Sequence, residues 1–336
     1  MKTLTFNEND IRPQQLMGEA RKLALIDAGR MLTRRNDFVC VDCPACGSNK
    51  SQKKFEKVGF NYVECSGCET MYINPRPSRE VLDWFYRGSV FYPYWNTYIF
   101  PASESVRREK IFVPRVERVL KFCDTYQVKT DSLLEIGAAF GMFCLEMKSR
   151  NRFRRIVGVE PTPDLAQTCK EKGIDIIENL MEDIVVQDDE RYDVVANFEV
   201  IEHTFSPREF IMQCRSFLKP GGLFVATCPN GKGFDFITLG SLCSNVDHQH
   251  LNYFNPGSFS LLLKSCGFEI LEVLTPGKLD AELVRNRILS GEYDISHNIF
   301  LKQVLVDKWA DLGESFQEFL SGSGLSSSMW MVARKW

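Results

Sequence analysis

Four cysteines form two close pairs, Cys43-Pro-Ala-Cys46 and Cys65-Ser-Gly-Cys68, separated by eighteen residues. Two thiolates three positions apart on a tight turn can face one ion, and a second such turn completes a tetrahedron. The gap lies within the range typical of zinc-binding cysteine pairs. The spacing therefore predicts a zinc ribbon with Cys43, Cys46, Cys65 and Cys68 as ligands. Because four thiolates leave no open coordination position, the zinc would be structural. The alternative is a set of buried free thiols.

The second pattern with chemical content is a glycine turn that follows an apolar run. A nicotinamide-type fingerprint, G-x-G-x-x-G, starting at Gly137 would need glycine at Ala139 and Met142, so that fingerprint is excluded. The pattern E/D-x-G-x-G-x-G fits instead at Glu135, Gly137 and Gly141, with Ala139 in the middle position. Glycine is favoured where the backbone must approach a ligand closely, so this turn is a candidate cofactor loop.

A single acidic residue closes the next apolar run. Glu160 ends the segment RIVGVE, twenty-three residues after Gly137. A carboxylate at the end of the second strand can accept hydrogen bonds from both hydroxyls of a ribose. The spacing favours ribose binding by Glu160 over the alternative of a solvated turn.

Short strands and helices must alternate to position these residues. The apolar runs from residue 131 onward are Leu133–Ile136, Ile156–Val159, Ile174–Ile177, Val194–Phe198 and Leu223–Thr227. Helical stretches or loops separate them, and this alternation is typical of βαβ units with a mostly parallel sheet. Residues 280–320 follow a helical pattern, and the final SSSMWMVARKW predicts a last strand.

Five segments together resemble the class I methyltransferases that use S-adenosylmethionine, in the branch with a Glu-His motif after strand four. They are LLEIGAAFG, GVEPTPD, YDVVANFEVIEH, FLKPGGLFVATCPN and HLNYFNPGSFSLLLKSCGF. With the ribbon and the C-terminal tail added, the whole chain resembles zinc-containing sugar C-methyltransferases. Those enzymes act on nucleotide-linked deoxysugars in antibiotic and cell-surface glycan pathways.

The resemblance implies a fold and a division of the chain. The fold is α/β, with a Rossmann-like core around a mostly parallel seven-stranded sheet, a small N-terminal zinc ribbon and a helical C-terminal insertion. The expected segments are a helical start at 1–36, the ribbon at 37–78, a helical and aromatic lid at 79–130, the cofactor-binding core at 131–275, and C-terminal helices with a last strand at 276–336.

Cofactor contacts are likewise implied by the resemblance. Glu135, Gly137, Ala139 and Gly141 would line the cofactor loop, and Glu160 would hold the ribose. The remaining contacts are Leu180 and Met181 at the adenine, Asn197 and Phe198 beside the methionine moiety, and Tyr98 from the lid. Leu180 cannot make a polar side-chain contact, so the adenine would be held by apolar packing and backbone groups.

Catalysis is expected from the Glu-His pair. Methyl transfer is an in-line displacement, and the protein must position the acceptor and remove its proton. Histidine suits that task because its ordinary pKa lies near neutrality. The resemblance implies that Glu202 and His203 act in acid–base catalysis. The alternative for His203 is a capping or packing role. Val200 stands where the sugar enzymes have a tyrosine.

Substrate contacts are expected from two further segments. The aromatic stretch with Tyr92 and Tyr94 is a candidate lid, and aromatic faces suit a sulfonium cation. Plain packing is the alternative. The loop 247–254 supplies the other candidates for substrate contact: His248, His250, Asn252 and Tyr253. A structural role and a second metal site are the alternatives for that loop.

Composition limits the partners. The formal net charge is −3, and the basic clusters are short, whereas nucleic-acid binders show a basic excess or stripe. No apolar run reaches the length of a membrane span, and MKTLTFNEND has no signal core. We therefore expect a cytoplasmic enzyme with a small-molecule sugar-type substrate, no nucleic-acid partner and no membrane span. The oligomeric state stays open. The rival hypotheses are a zinc-ribbon RNA methyltransferase and a non-catalytic cofactor-binding scaffold.

Overall fold

The computed structural model describes residues 8–187 and 190–336. The chain divides into two compact units, each built from separate stretches of sequence. The ribbon unit comprises Met1–Ser103, Pro229–Ser258 and Leu274–Met329. The sheet unit comprises Glu104–Cys228, Phe259–Val273 and Trp330–Trp336. Each unit is described separately below.

The strands of the described residues are numbered along the chain. They are β1 Phe38–Val39, β2 Ser51–Lys57, β3 Phe60–Cys65, β4 Met71–Ile73, β5 Arg76–Pro77, β6 Ser132–Ile136, β7 Arg155–Val159, β8 Asp175–Ile177, β9 Tyr192–Phe198, β10 Leu218–Pro229, β11 Asn252–Tyr253, β12 Phe268–Leu274 and β13 Ser328–Lys335.

The α-helices of the described residues are numbered in the same way. They are α1 Glu8–Ile11, α2 Gln14–Leu32, α3 Arg79–Gly88, α4 Phe91–Tyr94, α5 Phe100–Arg107, α6 Val113–Thr125, α7 Met142–Ser149, α8 Pro163–Glu171, α9 Pro207–Ser216, α10 Phe234–Leu239, α11 Pro256–Ser265, α12 Asp280–Leu289, α13 Ile299–Lys302 and α14 Trp309–Gly322. No helix among them is long and apolar enough to cross a bilayer.

The sheet unit contains seven strands in the order β8-β7-β6-β9-β10-β13-β12. The five strands from β8 to β10 pair in parallel. Strands β6 and β9 are buried along their whole length, which explains why their sequences are continuous apolar runs rather than alternating ones. The Rossmann-like fold and its seven-stranded sheet, expected from the sequence, are confirmed.

The order of the strands creates a switch point in the sheet. From β6 the chain builds β7 and β8 on one side, then returns to build β9 and β10 on the other side. In open parallel sheets, ligands bind outside the carboxyl ends of the strands where the order reverses. The carboxyl ends of β6 and β9 are therefore the expected location of a ligand.

One buried carboxylate ties together the amino ends of three neighbouring strands. Asp193 accepts hydrogen bonds from the Ser132 backbone N–H at 2.9 Å and the Ser132 hydroxyl at 3.1 Å. The Lys219 ammonium reaches the same carboxylate at 2.9 Å. These contacts join β6, β9 and β10 at the end of the sheet opposite the switch point.

Helix α6 begins with a proline in its first turn. Pro114 is the second residue of the helix, which follows directly after a π-helical turn at Arg108–Phe112. Proline lacks the amide proton that a helix interior needs, and the first turn requires none. The irregular turn therefore ends where the proline can start a regular helix.

The ribbon unit contains a four-stranded antiparallel sheet in the order β11-β4-β3-β2. Its fourth strand comes from far along the chain, since Asn252 pairs with Tyr72 and Tyr253 with Met71. The buried Arg76 guanidinium donates to the Leu251 carbonyl and, at 3.0 Å, to the Asn252 side chain. The loop that the sequence assigned to substrate contact thus contributes a strand to the ribbon sheet.

The C-terminal helices of the ribbon unit confirm the helical pattern predicted for residues 280–320. A π-helical turn at Gln303–Asp307 precedes α14. The buried carboxylate of Asp280 accepts from the Ser326 hydroxyl at 2.6 Å and the Gln317 amide at 2.6 Å. These bonds join the start of α12 to the middle of α14.

Candidate functional site

The turn after β6 forms a tight, strained loop. Gly137, Ala139 and Gly141 all have positive φ, at 77°, 49° and 79°. Ala139 occupies the position where the motif usually has glycine, and it takes the left-handed conformation despite its side chain. A Cβ on Gly137 would lie 2.6 Å from a methyl carbon of Val200. Both the backbone conformation and the close approach of Val200 therefore require glycine at position 137.

Glu160 links this turn to the next one. Its carboxylate is 5% exposed and accepts the Ala139 N–H at 2.8 Å on one oxygen and the Thr162 N–H at 2.9 Å on the other. Burial raises the pKa of Glu160, and the N–H groups of Thr162 and Ala139 oppose that rise. Each oxygen keeps a lone pair that can accept a ribose hydroxyl. The carboxylate thus fits the sugar of a nucleoside.

An apolar segment follows strand β8. Leu180 is 41% exposed, and Met181 is buried at the start of a short 3-10 turn, Met181–Asp183. Neither side chain can form a strong hydrogen bond with a base. This segment therefore offers apolar surface, as the sequence predicts.

The carboxyl end of β9 holds a buried amide with no partner. Asn197 is fully buried, and neither its side-chain oxygen nor its nitrogen has a hydrogen-bond partner in the described part of the chain. A buried amide without a partner is costly, and such groups mark sites that a ligand completes. Next to it, the Phe198 ring packs against Phe143 with centroids 4.7 Å apart.

Glu199 is a feature of this edge that the sequence analysis missed. Its φ is 58°, its N–H donates to the Thr227 carbonyl at 3.0 Å, and its carboxylate accepts the Thr227 hydroxyl at 2.7 Å. A non-glycine residue held in the left-handed region is a form of strain that clusters at functional sites. No pattern in a single sequence reports a positive φ at a glutamate.

Glu135 lies within β6, fully surrounded by protein. Burial raises its pKa to about 8, and the Cys144 thiol donates a hydrogen bond to it at 3.0 Å. The carboxyl group of Glu135 is therefore protonated more readily than that of an exposed glutamate.

Glu202 and His203 lie on a 3-10 turn, Ile201–His203, after β9. Glu202 is fully buried, whereas the His203 side chain is partly exposed. The His203 backbone N–H donates to the carbonyl of Val200 at 3.0 Å, and Val200 covers Gly137. The Glu-His turn and the glycine turn therefore meet at the switch point of the sheet.

The aromatic candidates belong to the ribbon unit. Tyr92 donates its hydroxyl proton to the Gln249 side chain at 2.7 Å, and Tyr94 donates to the Leu16 carbonyl at 3.3 Å. The ring of Tyr98 packs against that of Tyr94 at 5.0 Å and is 53% exposed. Tyr92 and Tyr94 thus have structural partners, whereas Tyr98 presents a face to solvent.

The loop 247–254 makes hydrogen bonds and ring contacts within the ribbon unit. Tyr253 is fully buried, accepts the Asp247 N–H at 3.0 Å and donates to nearby carbonyl oxygens. His250 Nδ1 lies 3.0 Å from the Asn245 carbonyl oxygen. The buried imidazole of His248 packs between Phe60 and Phe85, each at 5.8 Å, and its Nε2 has no partner in the described residues.

The four cysteines of the two pairs come together. Their sulfur atoms all lie within 4.8 Å of one another, with Cys43 and Cys68 at 3.4 Å and Cys46 and Cys65 at 3.5 Å. Burial opposes ionisation of Cys65, but the N–H groups of Cys68 and Gly67 outweigh it and lower its pKa to about 7. Four sulfur donors this close together fit the closed ligand set of a structural zinc ion.

The cysteine cluster also fixes the long-range strand. The Asn255 side-chain amide donates to the carbonyl of Cys68 at 2.9 Å, just beyond β11. Lys232 forms an ion pair at 3.0 Å with Glu69, the residue after the last cysteine. The second knuckle of the ribbon thus anchors two distant segments of the same unit.

Comparison with known proteins identifies the sheet unit. Residues 107–273 match a family described as a methyltransferase domain. This chain carries a class I S-adenosylmethionine-dependent methyltransferase domain. The glycine turn, Glu160 and the Glu-His turn all lie within the matched residues of the methyltransferase domain.

Individual relatives are similar over shorter stretches. The chain is 26% identical over 160 residues to a ubiquinone biosynthesis O-methyltransferase of Saccharophagus degradans, covering 44% of this chain and 67% of that protein. It is 31% identical over 117 residues to one of Maricaulis maris, covering 32% and 45%. A solved S-adenosylmethionine-dependent methyltransferase from Archaeoglobus fulgidus is similar to this chain, with a TM-score of 0.48 and 19% sequence identity. The match covers 71% of this chain and 100% of that one.

The glycine turn generates a direct test. Gly137→Ala should lower the free energy of unfolding by about 1–2 kcal/mol, because alanine disfavours the left-handed backbone. Displacement of the Val200 side chain by the new Cβ should lower it further. It should also weaken binding of S-adenosylhomocysteine, because the turn must shift. Gly173→Ala is the matched control, since Gly173 has a φ of 75° and open space around its Cβ position. Calorimetry should find normal affinity in the control, and equal affinities in the two variants would contradict the assigned role of the turn.

Proposed function

We propose that this chain transfers the methyl group of S-adenosylmethionine to a small molecule, a sugar carried on a nucleotide, with Glu202 and His203 in acid–base catalysis. The observation that carries the proposal is the convergence of the glycine turn and the Glu-His turn, joined through Val200 at the switch point. The sugar acceptor rests on the resemblance of the ribbon and the Glu-His branch to sugar C-methyltransferases.

The proposed cofactor contacts follow the order of the strands. Glu160 at the end of β7 takes the ribose, and Leu180 and Met181 after β8 take the adenine on that side. Asn197 and Phe198 at the end of β9 then take the methionine moiety on the other side, while Gly137, Ala139 and Gly141 approach it from β6. Adjacent strands are about 4.8 Å apart, so this arrangement spreads the cofactor across the edge of the sheet.

The bound cofactor supplies an electrophilic methyl group, and this chain supplies geometry and a base. His203 removes the acceptor's proton, and the buried Glu202 beside it stabilises the imidazolium that results. A partly exposed imidazole on a short rigid turn can reach an acceptor without losing its orientation. Tyr98, Tyr92, Tyr94, His248 and His250 remain proposed contacts for the cofactor or acceptor, and Asn252 and Tyr253 would hold their loop in place.

A second candidate acceptor is a phenolic small molecule. Curated relatives with this domain are named as ubiquinone biosynthesis O-methyltransferases. A histidine base serves oxygen and carbon acceptors alike, so the Glu-His turn does not distinguish the two. The distinction therefore has to be made with substrates.

Release of S-adenosylhomocysteine separates the candidates. The purified chain is incubated with S-adenosylmethionine and one of three acceptors: a nucleotide-linked keto-deoxysugar, a catechol or an RNA transcript. The proposal expects release with the sugar nucleotide. Release with the catechol alone would favour the phenolic candidate, and release with RNA alone would contradict both.

The assignment of the base predicts a specific kinetic defect. His203→Ala should lower kcat by about 100-fold or more, because general-base catalysis contributes on that order. Its affinity for S-adenosylhomocysteine should stay normal. His297→Ala is the control, since His297 is an exposed histidine in the ribbon unit. Full turnover by His203→Ala would exclude it as the base.

We further propose that the four cysteines hold a structural zinc ion. The purified protein should contain about one zinc per chain, because a closed set of four thiolates binds the ion tightly. Cys65→Ser should lose the zinc and the thermal stability of the ribbon unit, whereas Cys40→Ser, at an exposed cysteine outside the cluster, should lose neither. Metal analysis of the wild-type protein that finds no zinc would refute the site.

A further inference from the structure

Helix α8 of the sheet unit presents two hydrogen-bond donors to the glycine turn. The Cys169 thiol donates to the carbonyl of Ala139 at 3.2 Å, and the Lys172 ammonium donates to the next carbonyl, that of Phe140, at 3.3 Å. Positions 169 and 172 are three residues apart, at the end of α8, so their side chains lie on the same face of the helix. Two consecutive carbonyl groups of the turn are therefore held from one helix.

Ala139 has a strained backbone in this turn. Its φ of 49° lies in the left-handed region, where an alanine Cβ comes too close to the following carbonyl oxygen. The motif usually has glycine at this position, and glycine adopts the conformation freely. The Ala139 N–H donates to Glu160 at 2.8 Å, and its carbonyl accepts from Cys169. Side chains from two different elements thus hold both polar groups of the strained residue.

The surroundings of Cys169 keep its thiol protonated. The residue is fully buried, and burial together with the Glu160 carboxylate raises its pKa to about 12. A thiol is a weak donor, but a hydrogen bond is stronger where water is excluded. The sulfur also lies 3.1 Å from the position that a Cβ on Gly141 would occupy. The thiol therefore contacts the turn at two residues.

Plain packing is the alternative role for this thiol. Cys169 belongs to a buried cluster with Cys144 and Ile174, and a free cysteine behaves as a small apolar residue in such places. The two roles differ in which residue replaces the thiol better. Serine keeps a hydrogen-bond donor, whereas alanine fits an apolar space without burying a hydroxyl.

We propose that Cys169 is a positioning residue for cofactor binding, whose thiol holds Ala139 in the left-handed conformation and so compensates for the missing glycine of the motif. The inference rests on the proposed role of the glycine turn in binding S-adenosylmethionine. The bond raises the fraction of molecules in which the turn has its binding conformation, and the apparent affinity for the cofactor follows that fraction. Lys172 supports the same conformation at the neighbouring carbonyl.

Two substitutions at position 169 distinguish the roles by isothermal titration calorimetry of the purified chain. Cys169→Ala should bind S-adenosylhomocysteine about 3- to 10-fold more weakly, the factor expected for loss of one hydrogen bond. Cys169→Ser keeps a donor and should bind with an affinity close to that of the wild type. An alanine variant that binds as well as the serine variant, or better, would overturn the inference.

The strain at Ala139 supplies a second test. Glycine adopts the left-handed conformation without strain, so in an Ala139→Gly background the thiol has less to compensate. Cys169→Ala should therefore weaken binding of S-adenosylhomocysteine by a smaller factor there than in the wild-type background. The same factor in both backgrounds would show that the thiol acts independently of the strained residue, and the inference would be wrong.

Cys214, a fully buried cysteine of α9, provides the matched control. Cys214→Ala and Cys214→Ser should both bind S-adenosylhomocysteine as the wild type does, even where their thermal stability is lowered. Equal weakening by Cys214→Ala and Cys169→Ala would reveal a general effect of truncating a buried thiol and would overturn the inference. A wild-type protein that does not bind S-adenosylhomocysteine would overturn the proposed function, and the inference with it.

Discussion

The turns at the carboxyl edge of the sheet depend on the carboxylate of Glu160. It accepts one backbone N–H from the turn after β6 and one from the turn after β7. The first of these bonds holds Ala139 in the left-handed region, and the resulting bend brings Gly137 under Val200. Without that carboxylate, the N–H groups of Ala139 and Thr162 would lose their acceptor, and no side chain would join the two turns.

Two residues at the same edge have a strained backbone. Ala139 and Glu199 both have positive φ and lie at the carboxyl ends of adjacent strands, β6 and β9. Each non-glycine residue held in the left-handed region lowers the free energy of unfolding by about 1–2 kcal/mol. The strain persists because specific hydrogen bonds compensate for it. At the opposite end of the sheet, Gln127 and Asn151 also have positive φ, in the turns that lead into β6 and β7. The two ends therefore differ in the carboxylates that hold them: Asp193 joins the strands at their amino ends, whereas Glu160 and Glu199 bind the turns at the carboxyl ends.

Local patterns in the sequence predicted the strands and the cysteine cluster. The buried strand β9 could be recognised because burial on both faces requires a continuous apolar run. The pairing of β11 with β4 could not be predicted, because two residues carry no periodicity and their partner lies far away in the chain. The strained backbone of Glu199 could not be predicted either, because the residue looks like any other glutamate in the sequence and only its φ of 58° and its bond to Thr227 distinguish it.

If Glu160 both shapes the two turns and receives the ribose, its replacement by glutamine must weaken the binding of S-adenosylhomocysteine. A glutamine offers one acceptor oxygen where two are used, so calorimetry should find affinity lowered by about 10- to 100-fold. Glu171→Gln, at an exposed glutamate of α8, should bind as the wild type does. Wild-type affinity in Glu160→Gln would rule out Glu160 as the ribose-binding residue.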